Sequence, residues 1–196
     1  MTALRYNLRF QVNMATALVM AVPLLIPVIM SPQMPPLVYT ELFFPAIAPV
    51  VMAGLISREW EAGTADVLLA RPVARWWLLT GRVLTAVAIL LGAYVAGWGV
   101  ITTLGRDVNL GDMLAVVLPG ALALGSVGLA VATISRSSPT GYLVPLSYWM
   151  FDWLTQGTYT GRFYLLKGLG TDKWYLVGAA GAALLLTWLW LSRRER

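Results

Sequence analysis

The sequence predicts an all-α membrane protein. Of its 196 residues, 59% are hydrophobic and only 12% are charged, with a mean hydropathy of +0.73, whereas soluble domains carry about 25% charged residues. The apolar residues form long runs, and at roughly 20 residues for each membrane-spanning helix a chain of this length accommodates five to seven spans. We therefore expect residues 1–196 to form a single membrane domain.

Six apolar runs predict six transmembrane helices, called spans one to six below. They cover residues 13–30, 38–57, 78–104, 113–134, 142–158 and 174–191. Spans one and two each carry two prolines, Pro23 and Pro27 in the first and Pro45 and Pro49 in the second. Proline lacks a backbone donor and bends a helix, so each pair predicts either a flexing element or a kink that serves packing.

Two further segments are predicted at the membrane surface. Residues 1–12, "MTALRYNLRFQV", are typical either of an N-terminal interfacial helix or of a positively charged leader to span one. Residues 156–173 form a predicted outer loop. Its polar and apolar residues are too closely mixed for a membrane-spanning helix, and it is too apolar for an ordinary connection. Within it, "RFYLLKGLG" predicts a short re-entrant segment before span six, which is tolerated where protein covers the backbone.

The distribution of arginine and lysine predicts the orientation. Segments 1–12, 58–82, 135–141 and 192–196 hold ten of the fourteen cationic residues. Cytoplasmic loops carry such an excess of positive charge. We therefore expect both termini, and the charged segment between spans two and three, to be cytoplasmic.

Several classes of chemistry are excluded by what the sequence lacks. It contains no cysteine and no histidine, which removes thiol and imidazole nucleophiles and predicts no metal site. It has no G-x-x-x-x-G-K-[ST] run, so this chain does not hydrolyse ATP through a P-loop. Its basic residues are not clustered as nucleic-acid binding requires. Any enzyme activity would rest on Asp152 and Glu41, whose spacing gives no reason to expect that they meet.

The most charged stretch runs from Ser57 to Trp77, between spans two and three. Thr64 can cap the start of a helix, and Asp66 in its first turn complements the helix dipole. Pro72 disfavours helical backbone at the residue before it, so these residues define only a very short helix. Such a helix is marginal alone and needs a surface to pack on. Leu68 and Leu69 could fill a groove on a cytoplasmic partner. Alternatively, the charges merely fix topology and the leucines dip into the lipid interface.

The same stretch resembles a known family. "ISREWEAGTADVLLARPVARWWLLTGR" is similar to the cytoplasmic segment between the second and third spans of type-2 ABC exporter permeases, where an acidic residue, Gly-Thr, a Leu-rich turn, Pro and a basic residue recur. The matching positions are Glu59, Glu61, Gly63, Thr64, Leu68, Leu69, Pro72 and Arg75. The resemblance implies that residues 58–76, with Asp66, form a coupling helix seated on a separate soluble ATPase subunit.

Further expectations follow from this resemblance. The chain would be the permease of an ATP-driven exporter in a prokaryotic plasma (inner) membrane, working with a second copy as a homodimer or with a close paralogue. It would bind no cofactor itself, because ATP and Mg²⁺ would lie on the partner subunit. The alternative is the substrate-capturing membrane subunit of a micronutrient uptake system, which does not need the charged segment between spans two and three.

Three charged residues fall within or next to the predicted spans. Asp152 is costly at the centre of a membrane helix, so we expect it either to lie at the outer interface or to face a transport pathway. Glu41 is expected at the outer interface. Arg82 is expected to snorkel to the cytoplasmic surface.

Overall fold

The computed structural model describes residues 21–30, 34–61, 75–166, 168 and 173–193. Within these ranges the chain is helical and has no β-strand. The α-helices are α1 (Val22–Ile29), α2 (Pro36–Phe43), α3 (Ala48–Glu61), α4 (Arg75–Thr103), α5 (Leu110–Ser135), α6 (Ser138–Thr155) and α7 (Trp174–Arg193). Two short 3₁₀ helices cover Pro45–Ile47 and Gly161–Phe163. The expected all-α class is confirmed.

The ends of the central helices have local causes. The side chain of Asn109 accepts a hydrogen bond from the Gly111 amide at 2.7 Å and caps α5, as short polar side chains do at helix starts. Arg136 ends α5 in the left-handed conformation, with φ of 56°. A connection of two residues then leads into α6, which begins with Pro139 in its first turn. Helices α5 and α6 are therefore joined by a tight turn.

Span two is broken where the sequence predicts a bend. Helix α2 ends at Phe43, a 3₁₀ turn starts at Pro45, and α3 continues from Ala48. Side chains of neighbouring helices bond carbonyls around this break: the Trp149 indole donates to Leu42 O at 2.8 Å and the Tyr94 hydroxyl donates to Phe44 O at 3.0 Å. Such bonds are what allows a proline break inside a helical bundle.

Helix α5 is the centre of the bundle and packs against α3, α6 and α7. Glycines permit the closest approach, because a Cβ at Gly141 of α6 would lie 2.8 Å from Ala53 Cβ of α3 and 2.9 Å from Gly128 O of α5. Small residues at such crossings let membrane helices come together. Helix α4 lies at the edge and packs mainly against α1 and α3.

By length and composition, four helices of the described residues can cross a membrane. They are Pro36–Leu55, Leu79–Thr103, Leu110–Ser135 and Trp174–Arg193, which match predicted spans two, three, four and six. Helix α6 corresponds to span five but is not among the four. Helix α1 falls in span one, whose residues 13–20 lie outside the described ranges, as does the expected interfacial helix at 1–12. The six-span count therefore stays a prediction.

The expectation for Arg82 is wrong in one respect. Its side chain is 4% exposed, and Nη1 donates to the carbonyl oxygen of Leu55 at 2.5 Å. The guanidinium is thus held against α3 and is not extended into solvent. A buried cation needs such a partner because an unpaired charge away from water is costly.

Candidate functional site

Two carboxylates lie inside the bundle at the end where α2 begins and α6 ends. Glu41 of α2 is 7% exposed and Asp152 of α6 is fully buried. Glu41 was expected at the outer interface, and Asp152 either there or facing a transport pathway; the structure encloses both side chains in protein. Buried carboxylates require bonded partners, and each of these two finds its partners in the segment that precedes α7. We call residues 156–173 the anchored segment.

Glu41 forms a buried ion pair with Lys173. The Lys173 ammonium lies 2.6 Å from Glu41 Oε1, and the two side chains are 6% and 8% exposed. Lys173 Nζ also donates to Val116 O at 2.9 Å and to Leu165 O at 3.4 Å. The Gly168 amide donates to the same Glu41 oxygen at 2.7 Å. The pair therefore joins α2, α5 and the anchored segment. A buried ion pair is tolerated when the two charges are close and further hydrogen bonds satisfy their remaining polar atoms, and this pair meets both conditions.

Asp152 holds the other part of the same segment. Its Oδ1 accepts a hydrogen bond from the Thr160 hydroxyl, and its Oδ2 accepts one from the Leu165 amide at 2.8 Å. Hydrogen bonds to a charged acceptor are roughly twice as strong as neutral ones. The Tyr148 hydroxyl of α6 adds a bond to Phe163 O at 3.0 Å. Helix α6 thus fixes the segment at Thr160, Phe163 and Leu165.

The two carboxylates do not meet, but Leu165 connects them. Its amide donates to Asp152 and its carbonyl accepts from Lys173, which in turn pairs with Glu41. The Leu165 side chain is 3% exposed and packs with Ala123 and Leu124 of α5 and Leu176 of α7. At 1.5 Å per residue, Leu124 lies roughly 20 Å along α5 from its first residue. The anchored segment therefore reaches toward the middle of the bundle.

The conformation of the anchored segment depends on a glycine. Gly157 has φ of +75°, and a Cβ there would lie 2.5 Å from Cγ of Tyr164. Glycine is the residue that adopts this backbone region at little cost. Partial burial, followed by the charges of Asp152 and Glu41, raises the pKa of Tyr164. Its phenol therefore stays neutral beside the two carboxylates.

A second polar contact ties helix ends together nearby. Arg106, in the connection between α4 and α5, donates to Met30 O at 3.2 Å and to the Tyr39 hydroxyl at 3.4 Å. Its guanidinium also lies 5.8 Å from the centre of the Tyr39 ring, a cation–π distance. The Trp98 indole donates to Val108 O at 2.8 Å across the same connection. These contacts join α1, α2, α4 and α5 at one end of the bundle.

A cavity of about 530 Å³ lies beside the anchored segment. Its walls come from α5, α6, α7 and residues 159–165, and they are almost entirely apolar. Three side chains of the wall carry hydroxyls: Tyr159 is exposed, and Tyr148 and Thr160 donate to Phe163 O and Asp152. The cavity therefore suits an apolar occupant. Among the described residues, no group of acidic side chains could hold a metal ion.

The predicted coupling residues lie largely outside the described part of the chain. Gly63, Thr64, Asp66, Leu68, Leu69 and Pro72 fall in the undescribed range 62–74. Glu59 and Glu61 belong to the last turn of α3, and Arg75 is the first residue of α4. The helices that flank the predicted coupling region are thus present, and α3 ends four residues beyond the predicted end of span two. The coupling helix itself stays a prediction.

The sequence reasoning missed Lys173, Thr160 and Leu165. It counted Lys173 only as an outer-loop cation, although the cost of Glu41 inside a helical run is a signal that some cation must approach it. The two residues are 132 positions apart, and no local pattern links them. Asp152, which the sequence did single out, bonds to Thr160 and Leu165.

The four helices of the described residues that are long and apolar enough to cross a bilayer indicate a multi-pass membrane protein. The family model described as ABC-2 family transporter protein matches residues 6–157, and the chain belongs to this family. It is accordingly a transmembrane permease component of an ABC transporter and is not itself the ATPase, as the resemblance implied. No curated protein and no solved structure matches it significantly.

Proposed function

We propose that the chain is the permease subunit of an ATP-driven ABC exporter, acting as a dimer with two soluble ATPase subunits. The observation that carries this proposal is the family match over residues 6–157, which includes the charged stretch 57–77. ATP closure of the ATPases would move the docked coupling helices, and the attached helices would re-orient around a central pathway. ATP and Mg²⁺ would be bound by the partner.

The course of α2 and α3 supports this mechanism. Together they run from Pro36 to Glu61, interrupted only by the turn at Pro45, and carry Glu41 near one end and the predicted coupling region directly after the other. From Glu41 to Glu61 the distance along a helix is roughly 30 Å. A displacement of the coupling region would thus reach the carboxylate that holds the anchored segment.

Polar contacts at the opposite end of α3 would distribute the same displacement. The hydroxyls of Ser57 and Ser138 lie 2.6 Å apart and join α3 to the start of α6. Arg82 of α4 bonds to Leu55 O of α3. Chains of such contacts between rigid helices can carry coupling between distant sites. In this proposal α3, α4 and α6 respond together to the ATPase.

The anchored segment is proposed to be a re-entrant gate on the outer side. It is held by Glu41 and Asp152 and enters the bundle as far as Leu124. Release or displacement of this segment would open the pathway outward. Both termini would be cytoplasmic in a prokaryotic inner membrane, in agreement with the positive-inside rule.

The orientation can be tested with single cysteines, because the sequence contains none. Ser135→Cys lies at the predicted cytoplasmic turn and Thr158→Cys in the predicted outer loop, and both native residues are exposed. A membrane-impermeant maleimide applied to intact cells should label Thr158→Cys and should leave Ser135→Cys unlabelled until the cells are opened. The reverse labelling would overturn the topology.

The ATPase partnership is tested by affinity purification of the tagged chain from its native membrane in mild detergent. A stoichiometric soluble ATPase should co-purify with the wild type and should be lost with Glu59→Arg/Glu61→Arg. Asp107→Arg/Asp112→Arg is the matched control, since it makes the same charge change at exposed positions of the predicted outer side. Retention of the ATPase by all variants would refute coupling through Glu59 and Glu61. If no P-loop protein ever associates, the uptake-subunit alternative should be tested next by ligand binding.

A further inference from the structure

The cavity beside the anchored segment opens to the surface of the bundle. Val144, Tyr159 and Phe163 belong to its wall and are 45%, 79% and 48% exposed. The deeper wall consists of buried side chains, Ala123, Leu124, Leu165 and Leu176. The cavity is therefore a pocket with a lateral mouth, and its volume of about 530 Å³ falls in the range of ligand pockets.

The chemistry of the wall excludes a polar occupant. Its two bonded hydroxyls donate to Phe163 O and Asp152, and the remaining lining residues, apart from the exposed Tyr159, are apolar. Water in a buried site needs two to four polar partners. A void of this size without any occupant would lose the dispersion contacts of its lining atoms. An apolar molecule from the surroundings should therefore fill it.

The surroundings of this pocket are membrane-spanning helices. Two of its walls, α5 and α7, are long and apolar enough to cross a bilayer, so a mouth on the side of these helices faces lipid when they span the membrane. A cation also lies next in sequence to Phe163, a residue of the pocket wall. Arg162 is exposed next to Phe163, lies with its guanidinium 5.2 Å from the centre of the Tyr175 ring, and donates to the Tyr175 hydroxyl at 2.9 Å. A guanidinium in a fixed position favours a phosphate group.

We propose that this pocket binds one anionic membrane phospholipid, with a segment of acyl chain between α5, α6 and α7 and the phosphate at Arg162. The lipid would pack against Leu165 and so contact the same segment that Glu41 and Asp152 hold. The inference requires only a membrane location and does not depend on the ATPase partnership or on the direction of transport.

The test uses the full chain in lipid nanodiscs that contain phosphatidylglycerol with a photoactivatable diazirine on its acyl chain. After illumination, mass spectrometry locates the labelled residues. The proposal requires labelling concentrated on Val127, Val144 and Ala179, at the pocket, over the outward-facing Leu143 and Ala182. Equal labelling of both sets would mean ordinary annular lipid and would overturn the proposal. The proposal would also be overturned if a second copy of the chain, cross-linked at the pocket, shielded it from the lipid probe.

Two variants of the same helix sharpen the result. Ala179 lies in the pocket wall, whereas Ala182 is exposed outside it. Ala179→Phe should lower pocket labelling about tenfold, and Ala182→Phe should leave it unchanged. Arg162→Gln should abolish the preference for phosphatidylglycerol over a phosphatidylcholine probe with the same chains. Unchanged preference would overturn the assignment of the anionic headgroup to Arg162. If a variant fails to fold, the wild-type labelling pattern decides the acyl-chain site, and the wild-type preference for phosphatidylglycerol over phosphatidylcholine decides the anionic headgroup.

Discussion

The ammonium of Lys173 lies 2.6 Å from a carboxylate oxygen of Glu41, 132 positions earlier in the chain. Both side chains are almost fully buried. This contact brings the last turn of α2 and the segment before α7 to one point on α5, where Val116 O is the third partner. One of the two carboxylates that hold the proposed outer gate therefore acts through an ion pair whose members are distant in sequence.

Removing one partner of this pair should destabilise the protein. Lys173→Met leaves the Glu41 charge buried with fewer partners, and breaking a buried pair in this way costs about 3–5 kcal/mol. Thermal unfolding in detergent, followed by the monodisperse fraction of a fluorescently tagged chain, measures the loss. The double variant Glu41→Gln/Lys173→Met should recover most of the stability, because no charge remains unpaired. If the double variant is as unstable as the sum of the single ones, the two residues are not coupled.

Asp152 is expected to control the dynamics of the anchored segment. Asp152→Ala removes the acceptor of the Leu165 amide and of the Thr160 hydroxyl, and each lost bond to a buried group costs about 1–3 kcal/mol. Hydrogen exchange of the peptide 160–166 should become faster, while the exchange of α4 stays unchanged. Thr158→Ala is the control, since its exposed hydroxyl donates to Thr155 O at 2.7 Å, one turn earlier in the chain. Equal acceleration in both variants would contradict an anchoring role for Asp152.

These contacts explain which features the sequence could predict. Spans two, three, four and six were found because a membrane helix needs a continuous apolar run of sufficient length, and that property is local. The break at Pro45 was also local, since proline lacks a donor. In contrast, the donation of Trp149 to Leu42 O and the pairing of Glu41 with Lys173 depend on how distant helices pack. The sequence singled out Asp152 as a costly charge inside a helix and placed Glu41 at the outer interface, but it could not identify the partners of either residue.

Two glycines of the anchored segment provide a matched comparison. Gly157 and Gly161 both have positive φ, +75° and +54°, but a Cβ at Gly157 would lie 2.5 Å from the Tyr164 ring and a Cβ at Gly161 would meet nothing within 4 Å. Both alanine variants incur the strain of the left-handed region, roughly 1–3 kcal/mol. Only Gly157→Ala must also displace Tyr164. Thermal unfolding should therefore rank Gly157→Ala below Gly161→Ala in stability, and equal stabilities would contradict the packing of Tyr164 on Gly157.

The crossing of α3, α5 and α6 is expected to tolerate no added methyl group. In Gly141→Ala the new Cβ would lie 2.8 Å from Ala53 Cβ and 2.9 Å from Gly128 O, and neither atom belongs to a flexible side chain that could move away. Overpacking of this kind costs about 1–3 kcal/mol. Gly178→Ala on α7 is the control, because a Cβ there meets nothing within 4 Å. It should leave stability unchanged or raise it by up to about 1 kcal/mol, since alanine is the better helix former. The same crossing carries the contact between Ser57 and Ser138. Gly141→Ala should therefore also weaken the response of the co-purified ATPase to the permease. An unaltered response would show that helix packing at this crossing does not contribute to coupling.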